Sequence, residues 1–84
     1  MKTFSFSIPN RESSIFRCDV YNDGTFLYHR EVHVYNSSFS EEMNTIIIAK
    51  KMAQTLDMEE KELIEPVRLA IVLGESTYNL TEHL

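Results

Sequence analysis

The 84-residue chain has no tryptophan, one cysteine, two glycines and two prolines, and its 13 Asp plus Glu outnumber its eight Lys plus Arg. Each shortage excludes something. The lone Cys18 cannot close an internal disulfide or supply a thiolate metal framework, which points to a reducing compartment, the cytoplasm. Gly24 and Gly74 leave no material for a phosphate-cradling loop. A net charge of -5 excludes a broadly basic nucleic-acid binder. No uninterrupted apolar run approaches the roughly 20 residues of a membrane span, and Met1 to Ile8 lacks the apolar core of a signal peptide. What is present, 43% hydrophobic and 25% charged residues, is the composition of a folded domain. One compact domain over residues 1–84, with frayed last residues, is expected.

Charge and hydrophobic period change together along the chain. Residues 1–37 carry four bases and four acids, whereas residues 38–84 carry four bases and nine acids. The apolar period is two in the first part and near 3.6 in the second, which is strands followed by helices and hence an α+β class. Phe4, Phe6 and Ile8 alternate with polar residues, as do Phe16, Cys18 and Val20, then Phe26, Tyr28, Val32 and Val34. These runs predict a three-stranded antiparallel meander over about 2–8, 14–21 and 25–35. Parity predicts a three-residue loop of Asn22, Asp23 and Gly24, with Val20 opposite Phe26, Cys18 opposite Tyr28 and Phe16 opposite Arg30. The same parity sets Phe6 opposite Phe16, Ile8 opposite Ser14 and Arg17 opposite His29. Phe4, Phe16 and Phe26 then point inward together.

A helix over about 40–56 should cover that face, capped by Ser38 or Ser40. Its stripe reads Ile46, Ala49, Met52, Ala53 and Leu56. Ile47 and Ile48 fall outside it, beside a polar side of Asn44, Lys50, Lys51 and Gln54, and want a second surface. Asp57 with Glu60 suggests another capped start, for a helical segment over about 58–73 that Pro66 breaks or restarts. Residues 67–73 also alternate, so a fourth strand from Val67 is the competing reading, and Ser76 to Leu84 reads as a short helix or a frayed tail.

Three groups of residues could carry chemistry or contact. His29, Glu31 and His33 would share one side of a strand, a donor set competent for zinc and the basis for reading the chain as a small metal-dependent enzyme. The plainer reading is a solvent row, without metal or cofactor. Cys18 belongs to the opposite row from His29, so it reads as core rather than nucleophile. With no HExxH, CxxC or nucleophile elbow, no enzymatic activity is expected.

Two surfaces remain as contact candidates. The outer sheet face of Ile15, Arg17, Tyr21, Leu27, His29, Glu31, His33 and Tyr35 is richer in aromatic and aliphatic residues than solubility requires. The acidic segment of Asp57, Glu59, Glu60, Glu62 and Glu65 could imitate a row of phosphates or steer a basic partner. These surfaces point to a non-catalytic protein-interaction module, such as a small acidic inhibitor or accessory factor encoded by a phage or mobile element, that blocks an unidentified partner protein. Two open sheet edges and the surplus isoleucines also make a homodimer plausible.

Over residues 14–56 the layout of a three-stranded meander followed by a helix is similar to the arm-binding domains of tyrosine recombinases and the plant AP2 domain. That resemblance implies a sheet laid into the DNA major groove, the alternative function. It calls for a basic outer face, whereas the outer row here sets Arg17 beside Asp19 and Glu31.

Overall fold

The computed structural model describes residues 2–8, 15–32 and 35–80. The chain runs β1 (Lys2–Ser7), β2 (Phe16–Asn22), β3 (Thr25–Val32), α1 (Glu41–Leu56), α2 (Glu60–Leu73) and β4 (Glu75–Leu80). The sheet is antiparallel, in the order β3-β2-β1-β4. The meander and both helices match the sequence reading. The fourth strand does not: residues 67–73 are helical, and β4 instead forms from the segment read as a helix or tail.

Both helices lie on one face of the sheet, with α2 over β1 and β4 and α1 against α2 and β3. The core is built from the even-numbered residues Phe4 and Phe6 of β1, Ile8 just after it, and Phe16, Cys18 and Val20 of β2, as the period-two pattern requires. Phe6 and Phe16 sit with ring centroids 6.0 Å apart, and Phe4 reaches Tyr78 of β4 at 6.1 Å. From above, Ile48, Ala49, Met52 and Ala53 of α1 and Leu63, Val67, Ala70 and Ile71 of α2 close the layer. The α1 stripe is thus rotated from the expected one. Ile48 is fully buried and Ile46 is 46% exposed, because α1 must bury one flank on α2 as well as one on the sheet.

The strand registers correct the parity argument. Asp23 and Gly24 both take positive φ, 51° and 83°, which makes a two-residue turn with Asn22 opposite Thr25. Such a loop alone would invert the inside and outside of β3. A bulge restores them: Tyr21 pairs with Phe26, Val20 pairs with Tyr28, and Leu27 is the extra residue between them. Beyond the bulge Cys18 is opposite Arg30, Asp19 opposite His29 and Arg17 opposite Glu31. Before it, Phe26 turns to the outer face. It is 52% exposed and meets Tyr21 edge-on at 5.6 Å, so it does not join Phe4 and Phe16 inside. On the other side Phe6 faces Cys18, not Phe16. Ser14, His33 and Val34 lie outside the described residues.

The helix ends explain where the chain turns. Ser40 caps α1, its Oγ accepting the Met43 N–H at 3.1 Å. Asp57 ends α1 in the left-handed conformation, and the Met58 N–H reaches back to the Ala53 carbonyl at 3.0 Å, a Schellman closure. Asp57 is therefore a C-cap and not the start of α2. Pro66 sits inside α2 without ending it, and its carbonyl accepts the Ser76 hydroxyl. Gly74, at φ 97°, closes α2 through its N–H to the Ala70 carbonyl at 2.8 Å and releases the chain directly into β4.

Candidate functional site

The three-residue link between α1 and α2 makes them antiparallel neighbours, so the first turns of α1 lie beside the last turns of α2. There the two helices leave a groove of about 550 Å³, lined by Glu41, Glu42, Thr45 and Ile46 from α1 and Ile64, Arg68 and Val72 from α2. Its floor is apolar. Ile46 is 46% exposed and Val72 47%, and Met43, one turn before Ile46, is also exposed. Neither helix can turn these side chains inward, because each already buries a full stripe on the core.

The rim is acidic. Glu41 and Glu42 stand in the first turn of α1, where the helix dipole favours carboxylates, and neither has an ion-pair partner among the described residues. Arg68 is already neutralised, its Nε and Nη2 donating to the two carboxylate oxygens of Glu65 at 3.0 and 2.5 Å. That hydrogen bond and the adjacent guanidinium charge hold the Glu65 carboxyl below its ordinary range. A lowered folded-state value means the pair's stabilisation is present above the unfolded carboxyl range and fades as pH falls through the lowered value. Both groups are solvent-exposed, so the effect on stability is small.

An amide clip fixes the α1 end of the groove. Asn44 is fully buried; its Oδ1 accepts the Asn36 N–H at 2.8 Å, and its Nδ2 donates to the carbonyls of Asn36 at 2.9 Å and Ser40 at 3.1 Å. Asn36 in turn folds the loop, its Oδ1 accepting the Ser38 N–H at 2.9 Å and its carbonyl the Phe39 N–H at 3.0 Å. The loop after β3 is thereby tied to the second turn of α1. Asn44 is thus an interior residue, not part of the solvent side of α1.

The residues expected to form an outer sheet face divide. Ile15, Arg17 and Tyr21 are partly exposed, and Leu27 is exposed at the bulge. His29 and Glu31 are placed by backbone register alone, and His33 lies outside the described residues. Tyr35 is overturned as a face residue: it is 9% exposed and packs into the core, because the chain leaves the sheet before reaching it. Cross-strand rows on this face mix charge, with Arg17, Ser7 and Glu75 in one register row and Asp19, Ser5 and Thr77 in the next.

The acidic segment also loses its unity. Asp57 ends one helix, Glu59 precedes the next, Glu60 and Glu62 stand about 200° apart around α2, and Glu65 is paired. Among the described residues no cluster of three His, Cys, Asp or Glu could hold a metal ion. Cys18 is fully buried, its thiol 3.9 Å from the Asp19 carbonyl. No helix among the described residues is long and apolar enough to cross a membrane.

No family model, curated protein or solved structure matches this chain. Sequence reasoning missed the groove, although one signal for it was present. Ile46, Ile47 and Ile48 in succession are more apolar surface than a single helix stripe can bury.

Proposed function

We propose that this chain is a non-catalytic protein-interaction domain that receives an apolar segment with Lys/Arg flanks, supplied by a partner protein, in the groove between α1 and α2. It acts by occupying that partner surface, as a small acidic inhibitor or accessory factor of a phage or mobile element would. The observation that carries this reading is the combination of exposed Ile46 and Val72 on the groove floor with Glu41 and Glu42 on its rim, neither of them ion-paired among the described residues. Helix-in-groove recognition needs both parts: apolar anchors for affinity, and complementary charge for orientation and on-rate. A second copy suits the groove poorly, because the same acidic rim would meet itself.

Covering the exposed halves of Ile46 and Val72 is worth roughly 1 kcal/mol each. Together that is about a 30-fold change in affinity. The test is a titration of ¹⁵N-labelled protein with a synthetic amphipathic Leu/Lys helix and its Leu/Glu counterpart. The Leu/Lys peptide should shift the amide signals of the groove residues, and the Ile46→Ser, Val72→Ser double variant should weaken it about 30-fold. Replacing Lys50 and Lys51 by Glu, on the exposed side of α1, should not weaken it. Equal binding of the two peptides, or unchanged affinity in the groove variant, would refute the reading.

A further inference from the structure

Among the described residues β4 is an edge strand of the sheet, and its open edge is built to pair with itself. The Ile8 N–H donates to the Gly74 carbonyl at 2.9 Å, and residues 8 and 74 continue the register that sets Ser7 opposite Glu75. In an antiparallel ladder hydrogen-bonded pairs recur every second residue, so Ser76, Tyr78 and Leu80 turn their N–H and C=O groups toward β1. Glu75, Thr77 and Asn79 therefore turn theirs to the open edge. β4 has no proline, no lysine and no bulge to blunt this edge, and its one charge, Glu75, stands at its first residue. The other edge, β3, is broken by the bulge at Leu27.

We infer that two copies of this chain associate through antiparallel β4 strands about a twofold axis at Thr77, independently of the groove. In that register Thr77 opposes the Thr77 of the second copy, and Glu75 opposes Asn79 in both directions. All of these are edge-facing positions, so each opposed pair exchanges two backbone hydrogen bonds. The side chains agree with the same register. The Asn79 Oδ1 accepts the Thr3 hydroxyl at 3.1 Å, which leaves the Nδ2 donors without a partner among the described residues. Glu75 has an exposed carboxylate to receive them, and a threonine pair is a favourable cross-strand contact. On the helix side, Tyr78 and Leu80 pack against the core yet remain only partly covered, the exposure an adjoining strand would remove. The twofold axis stands perpendicular to the sheet, so the product is a closed dimer with a continuous eight-stranded sheet and not a filament.

Sedimentation equilibrium with hydrogen exchange tests this directly. The wild-type chain should have twice its 9.8 kDa mass, with slow exchange at the Glu75, Thr77 and Asn79 amides. Thr77→Pro removes an N–H that β1 does not use, and Thr77→Lys sets two like charges at the axis. Both should give the single-chain mass and an unchanged circular dichroism spectrum. Thr77→Lys should also leave the Glu75 and Asn79 amides exchanging fast while Ser76 and Tyr78 stay protected. A wild-type monomer at millimolar concentration, growth beyond a dimer, or a dimer that survives Thr77→Lys would overturn the inference.

Discussion

Replacing Asn44 by alanine tests whether the amide clip holds the first turns of α1 in place. The side chain makes three hydrogen bonds of ordinary length: one accepted from the Asn36 N–H, and two donated to the Asn36 and Ser40 carbonyls. A fourth, to the Phe39 carbonyl at 3.5 Å, is too long to count for much. At about 1 kcal/mol net per bond the loss is near 3 kcal/mol. Asn36 itself is exposed, so water can replace part of its pairing and the expected cost settles at about 2–3 kcal/mol. For a domain of this size that lowers Tm by about 10–20 °C. Asn44→Asp should cost more at neutral pH, because it removes both N–H donors and sets a buried carboxylate against carbonyl oxygens. Burial raises the carboxyl's folded-state pKa above its unfolded value, so the Asp variant should recover part of its stability as pH falls through the raised value toward the unfolded one. Urea denaturation of wild type and both variants gives the numbers. A loss below about 0.5 kcal/mol for Asn44→Ala, or an Asp variant no worse than the alanine at pH 7, would show that the clip does not stabilise this end of the fold.

Two further perturbations separate features that the sequence alone confuses. Phe6→Ala should cost about 3–5 kcal/mol, as for any fully buried phenylalanine, while Phe26→Ala should cost about 1 kcal/mol or less, because only an exposed edge contact with Tyr21 is lost. Equal costs in denaturant titrations would return Phe26 to the core. Gly74→Ala should cost about 1–2 kcal/mol purely from its positive φ, since a Cβ there would meet nothing within 4 Å. A cost beyond 3 kcal/mol would mean that the turn from α2 into β4 also depends on close packing.

Much of the fold is legible in the chain because most of its elements are amphipathic with a clear period. β1, β2 and α1 lie within about two residues of where alternation and a cap at Ser38 or Ser40 place them. The hairpin register is not legible, because a parity argument assumes unbroken strands. An Asp-Gly turn together with one extra residue at Leu27 satisfies the same inside-outside pattern by a route that simple parity rejects. β4 is hidden for a different reason. Its inward residues Ser76, Tyr78 and Leu80 are only partly buried at a sheet edge, so selection for apolar alternation is weak there, although Gly74 marks the break before it. Asn44 shows the limit of reading polarity as exposure, since a fully bonded amide is as much at home inside as an isoleucine. The groove belongs to neither helix alone; it exists only once Ile46 and Val72, 26 positions apart in the chain, lie across from one another.

The most direct test of the docking account is a search for intermolecular nuclear Overhauser effects between leucine methyl groups of the Leu/Lys peptide and the isoleucine and valine methyls of the protein. The account predicts cross-peaks from the peptide to Ile46, Ile64 and Val72. Cross-peaks confined to Ile15 on the sheet side would place recognition on the opposite face and contradict it.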